Sequence, residues 1–245
     1  MMEIEDTPSP NFDDRKHPVT LLVLHYTGME SGEAALTRMR DPEAKVSAHY
    51  MVWEDGRIAR LVAENDRAWH AGVSTWQSLE DLNSRSVGIE IVNGGHDYPA
   101  PGGALPPYPD AQITAVIALA REIMAHHDIP ATGLVAHSDI APARKIDPGE
   151  HFPWQRLAEA GLGLWPPVET GSACVWSGGD ASRLNAHLAQ IGYDTSDIPA
   201  ALRAFQRRWM PTAITGLADA DTLRRLAQIA EAYALGPVGS SSPQA

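Results

Sequence analysis

An apolar and β-branched run, Val19-Thr20-Leu21-Leu22-Val23-Leu24, leads straight into His25, after which Tyr26-Thr27-Gly28 turns the chain away. A short apolar run closed by a turn reads as a buried strand, and this one ends on an imidazole. The chain is thereby committed to a central sheet that delivers His25 to its edge. A second apolar piece, Leu134-Val135-Ala136, ends the same way on His137. There it opens into Ser138-Asp139-Ile140-Ala141-Pro142-Ala143-Arg144-Lys145-Ile146-Asp147-Pro148-Gly149. Irregular segments carried on a rigid scaffold commonly hold chemistry, and Pro142 and Pro148 stiffen this one.

Imidazoles and a carboxylate are ligands suited to Zn²⁺, and a catalytic zinc site uses three protein ligands with the fourth position open. His25, His137 and Asp147 supply such a set, with the cation of Lys145 beside it. Taken singly, each histidine reads as a hydrogen-bonded residue at a strand end; the combination points to a metal. The stretch Ser86-Val87-Gly88-Ile89-Glu90-Ile91-Val92 is a strand pattern interrupted by one acid. Buried carboxylates are costly unless paired, so Glu90 either faces water by simple alternation or is placed as a general base.

His25-Tyr26-Thr27, Ser47-Ala48-His49-Tyr50, Ala68-Trp69-His70-Ala71-Gly72, Val87-Gly88-Ile89-Glu90 and His137-Ser138-Asp139-Ile140-Ala141-Pro142 occur in this order. Together they resemble the N-acetylmuramoyl-L-alanine amidase type 2 family over about residues 17–165. The resemblance implies a zinc hydrolase that cleaves the amide between the lactyl group of N-acetylmuramic acid and L-alanine, in peptidoglycan or its muropeptide fragments. It assigns His25, His137 and Asp147 as zinc ligands and Glu90 as the catalytic acid/base. Lys145, two positions before the aspartate, becomes the oxyanion stabiliser. The family also contains non-catalytic peptidoglycan recognition modules, in which the aspartate ligand is commonly replaced; Asp147 favours the enzyme. A recognition module and a zinc amidase for another N-acyl substrate are the alternatives.

Trp69, His70 and Trp76 lie in a loop with Gly72 and Ser74, and are read as a wall of the substrate groove or as core anchors. His49 is expected to be a satisfied structural histidine, and His126 and His127 to close a helix whose C-terminus they favour. The Gly- and Pro-rich segment from Gly94 to Tyr108 is expected to border the groove.

Strand runs alternating with helical patterns place the chain in the α/β class, a central mixed sheet flanked by helices with the zinc at its edge. The clearest helix follows Asp110, an expected N-cap, with Ile113, Val116, Ile117, Ala120 and Met124 on one face. Composition changes at Trp165-Pro166-Pro167, beyond which Leu184/Leu188/Ile191, Ile198/Leu202/Phe205/Trp209 and Leu223/Leu226/Ala230/Tyr233 mark three short helices. This small helical domain resembles the bacterial peptidoglycan-binding domain, with a shortened loop at Asp194-Thr195-Ser196-Asp197; a stabilising helical appendage is the other reading. The expected organisation is an N-terminal extension (1–16), the catalytic domain (17–165), a linker (166–180), the helical domain (181–235) and a flexible tail (236–245). Cys174, the single cysteine, has no partner for a disulfide and no adjacent base to activate it. A net charge of −12 without clustered Lys and Arg argues against nucleic acid or an anionic membrane as partner. No apolar stretch approaches the roughly 20 residues needed to cross a bilayer. The sequence as written carries no export signal, so a cytoplasmic location is expected, with the periplasm or cell envelope if a signal was removed or export takes another route.

Overall fold

Alternation of side chains along two neighbouring buried strands decides the architecture. The computed structural model describes residues 3–168 and 180–235. Its elements are β1 (Ile4–Asp6), β2 (Phe12–Asp14), β3 (Leu21–Tyr26), α1 (Gly32–Arg40), β4 (Tyr50–Val52), β5 (Ile58–Arg60), β6 (Asp66–Ala68), α2 (Leu82–Arg85), β7 (Ser86–Ile91), α3 (Asp110–His126), β8 (Leu134–Ala136), α4 (His137–Ile140) and α5 (Trp154–Glu159). Three helices follow: α6 (Asp180–Ile191), α7 (Ile198–Trp209) and α8 (Ala220–Leu235). Six strands form one sheet in the order β1-β5-β4-β7-β3-β8. β4, β7, β3 and β8 run parallel, while β5 is antiparallel to β4, so the sheet is mixed.

Every residue of β3 is buried, as expected of a strand covered on both faces. On one face Leu22, Leu24, Val87, Ile89, Ile91 and Leu134 meet Ile113, Val116, Leu119, Ala120, Ile123 and Met124 of α3. Burying each such side chain contributes about 1.5–3 kcal/mol. The stripe read from the sequence is therefore the packed face of α3, although its N-cap position is Pro109 and Asp110 is the first helical residue. On the other face Leu21, Val23 and Val135 pack against Leu188, Ile191, Phe205, Leu226 and Ile229 of α6, α7 and α8. The helical unit is thus joined to the sheet through one continuous apolar core.

The pairing registers Val23↔Gly88 and His25↔Glu90 put Gly88 and Glu90 on the same face as His25. That face is apolar at its N-terminal end, where the helices cover it, and carries the chemistry at its C-terminal end.

Residues read as an N-terminal extension are woven into the fold: β1 pairs parallel with β5, and β2 pairs antiparallel with β6. Most of the expected linker with Cys174, and the tail 236–245, lie outside the described residues.

Candidate metal and catalytic site

His25 ends β3 one step inside the turn, and His137 begins α4 directly after β8, the neighbour of β3 in the sheet. Asp147 returns to them because the intervening loop folds back, Ser138 N–H donating to the Asp147 carbonyl at 2.9 Å. The three buried side chains converge. His25 Nδ1 and His137 Nδ1 are 2.8 Å apart, and Asp147 Oδ2 lies 3.1 Å from the first and 3.0 Å from the second.

Hydrogen bonding behind the site fixes which ring nitrogens carry protons. Ser86 has one hydroxyl proton, and the Leu82 carbonyl, 2.6 Å away, can only accept it. His70 Nε2, 3.3 Å from Ser86 Oγ, must then donate, which leaves His70 Nδ1 to accept from His25 Nε2 at 3.0 Å. His137 Nε2 faces the Ala71 carbonyl at 3.2 Å and donates to it. In the neutral rings both Nδ1 atoms are therefore bare lone pairs, and they point at one another and at a carboxylate oxygen. Three acceptors converging in a buried place need a cation among them, so the donor set fits a divalent metal with two nitrogens and one oxygen. Burial, and then the nearby His137, lower His25 to about 4; burial, and then His25, carry His70 well below its ordinary value.

Glu90 is half-buried, and its Oε2, shut off from solvent, has no hydrogen-bond partner among the described residues. Burial, and then the charge of Asp147, raise it well above the usual carboxyl range against an opposing pull from Lys145. It borders a cavity of about 310 Å³ lined in part by Thr27, Met29, Arg38 and Tyr98. The alternation left open by the sequence is resolved: the face that carries Glu90 is the face of the site. Lys145 is half-buried close enough for its charge to act on both His25 and Glu90. The acid next along the chain, Glu150, is held by His96 at 3.2 Å and Arg207 at 3.4 Å.

Two of the three residues expected in the groove wall are elsewhere. Trp76 is fully buried, with Gly192 and the rings of Tyr193 and Tyr233 against it, so it cannot stack on a substrate. Gly192 stands at φ +133°, and a Cβ there would lie 2.6 Å from the Trp76 ring. His70 is buried and spends both ring nitrogens on His25 and Ser86; it orients His25. It lies so close over β7 that a Cβ on Gly88 would sit 2.5 Å from His70 Nδ1. Trp69 is half-buried and its indole N–H has no partner among the described residues. His49 is buried and accepts the Gly88 N–H at 2.9 Å.

A second trio, Glu64, His126 and His127, gathers at the end of α3. His127 is already paired with Glu64 at 2.5 Å, Tyr50 donates to the same carboxylate, and His126 is exposed. That cluster reads as a hydrogen-bonded closure of the helix. Sequence reasoning missed the supporting roles of His70 and Ala71, and the line Tyr26, His96, Glu150, Arg207 running beside the site. The Trp-His-Ala-Gly pattern marked the segment without revealing its role.

Residues 15–150 match the family model for N-acetylmuramoyl-L-alanine amidase. The amidase AmiD of Escherichia coli (strain K12) is 36% identical over an alignment of 233 positions that covers 88% of this chain and 83% of that protein. The 1,6-anhydro-N-acetylmuramyl-L-alanine amidase AmpD of the same strain is 38% identical over an alignment of 169 positions that covers 61% of this chain and 87% of that protein. Among solved structures, E. coli AmiD in complex with the substrate anhydro-N-acetylmuramic acid-L-Ala-D-gamma-Glu-L-Lys superposes with a TM-score of 0.78 at 36% identity, covering 89% of this chain and 91% of that one.

Proposed function

Because the chain belongs to the N-acetylmuramoyl-L-alanine amidase family, we propose that it is a zinc-dependent muropeptide amidase in which Glu90 moves the proton and Lys145 steadies the developing negative charge. Amidase activity and a part in peptidoglycan turnover follow from the family; the metal and the roles of individual residues are our reading. The observation that carries it is the meeting of two imidazole nitrogens, proton-free in the neutral rings, with the Asp147 carboxylate, near Glu90, whose buried Oε2 has no partner among the described residues.

His25, His137 and Asp147 would hold zinc through those atoms. Zinc bound there supplies Lewis acidity, polarising a carbonyl and acidifying water to a pKa of about 7. Glu90, with its proton affinity raised by burial, takes a proton from the attacking water and returns it to the departing nitrogen. Water adds its hydroxyl to the lactyl carbonyl carbon, the carbon–nitrogen bond breaks, and L-alanine leaves as the free amine of the stem peptide. Lys145 places a compact cation beside the carbonyl oxygen that turns negative. Trp69, half-buried, has surface to offer the substrate, whereas Trp76 and His70 do not. The names of the relatives favour muropeptides with a 1,6-anhydro sugar among the substrates.

The test incubates metal-loaded protein and Asp147→Ala with a purified disaccharide-tetrapeptide, with and without chelator, and follows free stem peptide by mass spectrometry. Release by the loaded protein, lost in the variant and with chelator, is expected. Release that survives both would remove the metal from the reading.

A further inference from the structure

The three C-terminal helices reach the segment that carries His137 through Arg208 and Tyr193. Arg208 of α7 is 2% exposed, and its guanidinium passes between Trp154, 4.1 Å from the ring centroid, and Trp209, 4.7 Å away. At its end it forks. Nη1 donates to Asp139 Oδ2, and Nη2 donates to the Leu134 carbonyl at 2.9 Å. Tyr193, also from the helical unit, donates its hydroxyl to Asp139 Oδ1 at 2.7 Å. Asp139 Oδ2 in turn accepts the Ala136 N–H at 2.9 Å.

Leu134 and Ala136 are the two ends of β8, and the next residue is His137. Arg208 and Tyr193 therefore hold both ends of the strand that presents a metal ligand. A buried ion pair is weak evidence for stability, because desolvation cancels much of its attraction. A forked, planar guanidinium fixes direction as well as charge, which an ammonium cannot. Both oxygens of Asp139 are engaged by groups on α7 and the segment before it, so the orientation of the carboxylate depends on the helices.

We propose that the helical unit positions the metal site: Arg208, with Tyr193, fixes Asp139 and through it the turn that carries His137. The proposal rests on the metal reading above. It makes Arg208 a positioning residue, whose loss should show in metal affinity and not only in stability.

The experiment uses the full chain and measures zinc affinity by competition with a chromophoric chelator, alongside thermal melts. Wild type should bind one tight equivalent that His25→Ala abolishes; if it does not, the metal reading fails and this proposal fails with it. Given that equivalent, Arg208→Lys should weaken zinc by about 10–100-fold, the range for groups that orient ligands, and Tyr193→Phe by less. Ile191→Ala, in the same interface but making none of the clamp's polar contacts, should lower the melting temperature while leaving zinc affinity unchanged. Wild-type affinity in folded Arg208→Lys and Tyr193→Phe would overturn the proposal, as would an equal loss in Ile191→Ala at a matched melting temperature. Should Arg208→Lys fail to fold, Tyr193→Phe against Ile191→Ala decides it.

Discussion

Glu90 is the residue at which one atom-sized change should separate chemistry from binding. Replacing it with glutamine keeps the shape and removes the base, so kcat should fall about 10²–10⁴-fold while bound metal stays constant by elemental analysis. Its raised carboxyl pKa has a definite sign. The group holds its proton to higher pH than an ordinary glutamate and works as a base only after losing it. The acid limb of kcat/KM should therefore rise with pH through a midpoint above about 4.3, and a limb at or below that value would contradict the assignment. At this scale much was legible. His25, His137 and Glu90 stand at strand ends or break a strand pattern, and Asp147 lies in the proline-stiffened loop that follows His137, which marks them in one dimension. His70 was misread because its task is defined through space, by a ring lying over Gly88 with Ser86 behind it. Arg208 carries no such mark: nothing in the order of residues says that it points inward.

Elements were legible in proportion to their length. The seventeen residues of α3 carry a repeated apolar face, whereas β1 and β2 have three residues each, rich in acid, and no alternation to read. Those strands exist because β5 and β6 offer them backbone partners, information absent from their own composition. Trp76 shows the same limit. Beside glycine and histidine it looks like a groove aromatic, yet it anchors the loop between β6 and α2 against the C-terminal helices. Trp76→Ala should cost about 3–5 kcal/mol, read as a lower denaturant midpoint in equilibrium unfolding. A change under 1 kcal/mol, with kcat/KM impaired instead, would restore the groove assignment.

For the whole molecule, the sequence divides at Trp165, but the core does not. Cutting there would bare Leu21, Val23 and Val135 and leave the Asp139 carboxylate without Arg208 and Tyr193, and removing one partner of a buried ion pair alone costs about 3–5 kcal/mol. Residues 1–165 expressed alone should lose the sharp thermal transition of the full chain and bind a hydrophobic dye. A cooperative melt near the wild-type temperature would show instead that the helices are a detachable accessory. One further consequence concerns β8, the outermost strand on its side of the sheet. An outermost strand is a template on which a neighbouring molecule can add a strand of its own. The guanidinium that takes the Leu134 carbonyl would deny such a neighbour one of the acceptors it needs, so the proposed brace on the His137 segment would also act as a guard against self-association. Forms of this protein that shed their helices should be found in aggregates before they are found inactive in solution.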